Sequence, residues 1–443
     1  MAELKTQHEL TAAETADLRA DVQQQPAHDV IARATIKNGV LAASEDPQAA
    51  VRLNRTFSVE LPTGKVSNQK HSGRCWLFST LNTIRHQFAA KYHVKDFELS
   101  QSYLFFWDKV ERANIFYDRI LRTADQPVDS REVAAILNNP GGDGGQWAMG
   151  ASLVQKYGVV PVSAMPESFN TNDTTGFAAT FNLKLRKDAL VLRDLVADQA
   201  SEEQIAATRA QALKEVYRMA AYSFGEPPTT FDLEYKDDNQ QYHRDAGLTP
   251  QGFFEKYFDV DLDDYVVISN SPDKAFNQRY RLESQENIVG GQQITFLNLP
   301  LAELKRAAIA QLKDGETVWF GNDVLQQTSR ERGFLDSQLY KTADLFGIDL
   351  SLTKAQRLAL GEAEVSHAMT FTGVDVVAND PTRWKVENSW GEKNGDKGYF
   401  VMTDEWFSDF VYEVVVHKRY LTADQQALLA TTPTELSAWD SLA

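Results

Sequence analysis

The chain has 443 residues, 43% hydrophobic and 11% aromatic, so it can bury a large core and by length would fill two or three domains. Its 62 acidic against 45 basic residues leave a formal charge of −17, which argues against a nucleic-acid partner, whose phosphates demand a basic surface. It has no run of about twenty apolar residues to span a membrane, and Met1 to Gln25 is polar and mixed in charge, without the apolar core of a signal peptide.

In chain order, Ala12 to Ala43 is predicted as two helices broken near Pro26. A polar, glycine-containing loop then leads to Cys75, and Cys75 to about Tyr92 is predicted as a helix. Leu77, Leu81, Ile84 and Phe88 recur there at the helical period and give it a buried face. Arg131 to Leu137 and Gln146 to Tyr157 are also predicted helical, and these segments form a helical lobe. Pro166 to Asn287 is predicted as a charged, mainly helical insertion. Its strongest helix is Ser201 to Ala221, opened by a capping-box pattern at Ser201-Glu202-Glu203-Gln204 and ended by Gly225-Glu226-Pro227-Pro228. From Ile288 the pattern turns β-prone, through Gln293–Leu297, Thr317–Gly321, Ala368–Val377, Trp384–Asn388 and Gly398–Thr403. The fold class is therefore α+β. The boundaries fall at 1–65 for an N-terminal helical segment, 66–165 for the helical lobe, 166–287 for the insertion, 288–420 for the β lobe and 421–443 for a C-terminal tail.

Cys75 is the only cysteine, so it cannot join an intramolecular disulfide or build a zinc-thiolate cluster. At a helix start its thiolate would meet the macrodipole and free backbone N–H groups. The structural alternative is a buried, inert cysteine acting as a small hydrophobe. Downstream, His367 in Ser-His-Ala-Met-Thr and Asn388 in Glu-Asn-Ser-Trp-Gly sit in or beside β-prone runs, where a strand pair could hold them together. An imidazole can take the thiol's proton and later protonate a leaving amine, while an Asn oxygen accepts the ring's other N–H. Gln69 and the backbone N–H of Cys75 could donate to a developing oxyanion. His71 is the main rival base, but it lies in the loop before the helix; the remaining histidines read as surface or satisfied core residues. Gly141 to Gly145 lacks the helix start and Lys-Ser/Thr of a phosphate cradle and could be only a turn. Asp261, Asp263 and Asp264 lack the spacing of a calcium loop and read as a solvated acidic turn.

The order Gln…Cys-Trp…His-Ala…Asn-Ser-Trp-Gly resembles the papain superfamily. The run Asn68-Gln69-Lys70-His71-Ser72-Gly73-Arg74-Cys75-Trp76-Leu77-Phe78 resembles its bleomycin hydrolase and aminopeptidase C branch. Gly141–Trp147, Lys156–Pro161, Leu262–Tyr265 and Asp314–Gly321 fit the same branch, and the likeness covers roughly residues 30 to 420. The resemblance implies a papain-like two-lobe fold and a cysteine peptidase without metal or cofactor, acting on peptides through a thioester. By it Cys75 is the nucleophile, His367 the base and acid, Asn388 the orienting residue and Gln69 an oxyanion donor. Trp390 shields the Asn–His bond, and Gly144 and Gly145 lie along the substrate. It also implies a homohexamer, with contacts carried by the insertion. A chain with one catalytic-looking thiol and no disulfides suits a reducing cytoplasm, and this points to no inhibitory pro-segment of the lysosomal kind.

In that branch the C-terminal carboxylate, here that of Ala443, caps the cleft and pairs with the substrate's α-amine, which makes an aminopeptidase. The chain ends Ala438-Trp439-Asp440-Ser441-Leu442-Ala443. Past Asp440 the tail is three residues, about 10 Å when extended, against about six in aminopeptidase members, so endopeptidase action through an open cleft is the competing expectation. Asn322 stands where many relatives carry cysteine. A non-catalytic peptide-binding protein, or an acyltransferase using the thioester, are the alternatives from other classes.

Overall fold

In the computed structural model, which describes residues 8–442, the lone cysteine opens the helix Cys75–Tyr92. Every residue from Cys75 to Arg85 is buried, so the predicted apolar stripe has widened until the first three turns are enclosed on all sides. Helices Gln101–Arg122 and Trp147–Tyr157 and strand His367–Val377 do the enclosing. The helix's polar residues are satisfied locally or across that packing. Thr80 and Thr83 donate to carbonyls four residues back at 2.8 and 3.0 Å, and Ser79 Oγ donates to Met369 O at 2.7 Å.

Strand His367–Val377 belongs to a twelve-stranded sheet among the described residues. Its central part is antiparallel, in the spatial order Tyr265–Ser269, Val411–His417, Val318–Asn322, His367–Val377, Asp380–Glu387, Tyr399–Thr403. The first eight residues of His367–Val377 and all of Val318–Asn322 are buried, which is why these runs are almost continuously apolar. The period of two then divides them between two cores. Trp319, Ala368 and Val415 face the core that holds the Cys75 helix; Val318, Phe320, Met369, Val414 and Val416 face a second core with Leu304, Ala308 and Leu312 of helix Leu301–Lys313.

Residues 166–287 hold the expected helix as Glu202–Phe224 and a second long one that the sequence pattern does not single out, Thr175–Ala197, both packed on Gln101–Arg122. Ser201 caps the second, accepting from Gln204 N at 3.2 Å. The segment is less helical than its pattern suggests: Phe231–Lys236 and Tyr242–Leu248 form a hairpin, and Tyr265–Ser269 and Gln278–Arg281 join the large sheet. Among the described residues the chain divides into two compact units, 8–51 with 338–351, and 52–337 with 352–442. The first holds helices Ala12–Gln24 and His28–Asn38, broken at Pro26 as expected, and a third, Val40–Ser44, because Gly39 interrupts the run once more.

Candidate active site

Cys75 lies at the first position of its helix, behind a loop fixed at both ends. Gln69 N donates to Ser389 O at 2.8 Å, and the buried Arg74 guanidinium binds Glu167 at 3.0 and 2.6 Å and Thr171 O at 2.6 Å. No side chain caps the helix, so its first N–H groups stay available. Burial pushes the Cys75 thiol up; the backbone N–H groups of Ala368, Trp76 and Cys75 itself pull it back only in part. The N–H of Ala368 at the sulfur places Cys75 against the start of the strand that His367 opens.

His367 Nε2 lies 2.9 Å from Asn388 Oδ1. That oxygen also accepts from Ser389 N at 2.8 Å, which fixes which end of the amide faces the ring. An amide oxygen only accepts, so this network assigns the ring proton to Nε2 and leaves Nδ1 as the basic nitrogen. The strand register pairs Thr370 with Glu387, so Asn388 leaves the strand end close enough to reach His367 at the start of the facing strand. Glu387 is clamped from the Cys75 helix by Arg85 at 2.5 Å and His86 at 2.7 Å. Burial raises its carboxyl, but His86 and Arg85 outweigh it and hold the group below the ordinary carboxylate range. Asn322 Nδ2 donates to His367 O at 3.1 Å and so steadies the histidine's backbone.

Trp390 covers the pair, its ring 4.9 Å from that of His367, and the Arg330 guanidinium lies 4.3 Å from the centre of the Trp390 ring. Burial drives the His367 imidazole down to about 4; the Asn388 bond opposes this and Arg330 adds to it. Gly391 follows at φ +74, where a Cβ would come within 2.4 Å of Asn68 Nδ2, so only glycine fits.

Gln69 is held on three sides: through its backbone, by Ser389 Oγ donating to its Oε1, and by its own Nε2 donating to Ser72 O at 2.6 Å. One amide hydrogen remains. Gly145 packs under the Trp76 ring, which a Cβ would meet at 2.6 Å, whereas Gly144 opens onto free space. Sequence reasoning missed what holds this glycine run. Lys109, fully buried, donates to Gly141 O at 3.1 Å and Gly142 O at 2.8 Å and pairs with Asp143 at 3.0 Å. Arg112 donates to Gly144 O, and Trp76 Nε1 to Asp143 O at 2.7 Å. His71 is exposed, its backbone tied to Asn172 and Thr174. Asp261 caps its own turn and Asp264 pairs with Lys418, so the acidic trio serves local structure. Ala443 lies outside the described residues.

The model of the Peptidase C1-like family matches residues 9–443. The chain belongs to that family. Within it, this peptidase is 58% identical to Aminopeptidase G of Lactobacillus delbrueckii subsp. lactis, over 98% of this chain and 100% of that one. It is 56% identical to Aminopeptidase E of Lactobacillus helveticus over the same shares. A crystal structure of PepW from Lactobacillus rhamnosis HN001 superposes with a TM-score of 0.97 at 50% identity, covering 98% of both chains. The family is that of papain-like cysteine peptidases, in its bleomycin hydrolase and aminopeptidase C branch, and the α+β fold agrees with it.

Beside the glycine run this peptidase has a cavity of about 600 Å³. Gly144 and Gly145 line one side and Val365, two residues before His367, another. The C-terminal segment supplies a third through Glu435, Leu436, Trp439 and Leu442. That segment is anchored: Thr434–Glu435 pairs with strand Gln278–Arg281, Lys274 binds Asp440 at 2.9 Å, and Arg131 lies 4.0 Å from the centre of the Trp439 ring.

Proposed function

We propose that this cysteine peptidase is an aminopeptidase that hydrolyses peptides at Cys75 through a thioester. The His367 Nε2–Asn388 Oδ1 bond carries the assignment, because it frees Nδ1 for the thiol. Burial disfavours a lone thiolate and a lone imidazolium alike. Proton transfer from Sγ to Nδ1 creates both at once, mutually compensating, so the two charge as a pair. The thiolate attacks the scissile carbonyl carbon. The oxyanion is met by the remaining Gln69 amide hydrogen and the Cys75 backbone N–H. Collapse breaks the C–N bond, the imidazolium protonates the leaving amine, and water activated by His367 then hydrolyses the thioester. Trp390 keeps water from the Asn–His bond, and Gly144 and Gly145 accept the substrate backbone.

The preference for exopeptidase over endopeptidase action rests on the C-terminal segment standing as a wall of the cavity, and on the relatives named aminopeptidases. The carboxylate of Ala443 is the proposed partner of the substrate α-amine. A homohexamer with contacts in 166–287, and a cytoplasmic location, complete the proposal; sedimentation of the purified protein tests the former. The activity is tested with matched fluorogenic peptides, one with a free α-amine and one acetylated. Cleavage of the free peptide alone is expected. Efficient cleavage of the acetylated one would make the enzyme an endopeptidase. Iodoacetamide labels an activated Cys75 rapidly at pH 6; labelling as slow as that of a thiol with pKa about 8.5 would refute the nucleophile assignment.

A further inference from the structure

Arg330 sits exposed in the turn that follows the short strand Thr328–Ser329. Its guanidinium lies over the Trp390 ring, and among the described residues it makes no hydrogen bond or ion pair. Three other arginines around the site are each held by a carboxylate: Arg74 by Glu167, Arg85 by Glu387 and Arg112 by Asp108. Even Glu331 beside it in the chain and Glu392, two residues past Trp390, stay exposed and unpaired with it. Stacking uses a face of the guanidinium and leaves its N–H edge free, a fork shaped to a carboxylate.

The position of Arg330 gives that fork a use. On the mechanism above, the acyl part of the peptide lies along Gly144, Gly145 and the C-terminal segment, and the cavity they line includes neither Trp390 nor Arg330. The leaving amine takes its proton from His367, whose ring is 4.9 Å from that of Trp390, and the guanidinium is 4.3 Å from the Trp390 centre. Two steps of that size span at most two to three residues of extended chain, at about 3.3–3.6 Å each. The charge of Arg330 also reaches His367, where it opposes protonation of the ring. A carboxylate seated on the guanidinium would offset that opposition as the imidazolium forms.

We propose that Arg330 is a specificity-determining residue on the leaving-group side, binding a carboxylate carried by the one or two residues that follow the scissile bond. In short peptides that carboxylate is the chain's own C-terminus, so they are favoured over long ones with the same scissile bond. The inference rests on the cleft assigned above: if activity survived Cys75→Ala, that assignment would fail, whereas Arg330 is judged by ratios between substrates of one enzyme.

The test measures kcat/KM for pairs of peptides identical except for a C-terminal carboxylate or carboxamide, with one, two or five residues after the bond cleaved. Mass spectrometry of the products identifies that bond. The native enzyme is expected to favour the carboxylate about 5-fold, the upper range of an exposed ion pair, at one or two residues and not at five. Raising the salt concentration should shrink the preference. Arg330→Met, which keeps a chain over Trp390, should bring the ratio near one, and Arg330→Glu should invert it. A general loss through Trp390 or His367 slows both members of a pair and cancels. If the preference appears instead for aspartate over asparagine within amidated peptides, and Arg330→Met erases it, the carboxylate is a side chain and the assignment to Arg330 stands. A native enzyme with neither preference, a preference undiminished at five residues, or folded variants that keep the native ratio would overturn the proposal.

Discussion

The two flanks of the cavity treat polarity in opposite ways. On the glycine side every charge is committed: Lys109 to Gly141, Gly142 and Asp143, Arg112 to Asp108 and Gly144. On the Val365 side the buried carboxyl of Glu413 is committed to nothing. A flank that spends its polar groups on its own backbone presents a fixed edge that any peptide backbone can meet. The glycine run is a loop and Glu413 lies on a strand of the large sheet, so the two regions can be altered separately.

Cys75→Ala sets the zero point for both flanks, with a loss of about 10⁴-fold or more in kcat/KM, as for removal of other catalytic nucleophiles. Lys109→Met attacks the committed flank. It removes the buried cation that pairs with Asp143, and chemical denaturation should show a loss of about 3–5 kcal/mol, the cost of breaking a buried ion pair on one side. His367→Ala leaves both flanks intact and should slow iodoacetamide labelling of Cys75 at pH 6 about 100-fold, because the buried thiol then lacks the base that takes its proton. Gly145→Ala and Gly144→Ala split the glycine edge. The first drives a methyl into Trp76 and should cost about 1–3 kcal/mol of stability; the second meets open space and should stay within about 0.5 kcal/mol. If the two cost the same, the edge is not fixed as described. The smallest effect concerns pH. The Glu387 carboxyl is lowered on folding, so its contribution is complete above the ordinary carboxylate value of about 4.3 and fades as pH falls through its lower folded value. Glu387→Gln should flatten that acid limb of a melting-temperature profile.

Much of this was legible in the chain. The period of Leu77, Leu81, Ile84 and Phe88 predicts the Cys75 helix, and the apolar runs at Thr317–Gly321 and Ala368–Val377 predict the strands that hold His367. Local pattern could not show which charges go inside. Lys109 sits in an amphipathic helix where a lysine ordinarily faces water, and only packing against residues more than thirty positions away buries it. Arg330 reaches Trp390 across sixty residues, with no local trace. Glu413 did leave a trace: a single acid inside Val-Tyr-Glu-Val-Val-Val, a run that otherwise reads as a fully buried strand.

The sheet order carries a consequence for biosynthesis. Cys75 leaves the ribosome 292 residues ahead of His367, and at about 5–20 residues per second that interval is about 15–60 s. Strand His367–Val377 cannot take its place between Val318–Asn322 and Asp380–Glu387 until the last of these has been translated. On the proposed roles the nascent chain therefore carries a thiol without a base for most of its synthesis. On those roles, completion of the polypeptide is itself the activating event.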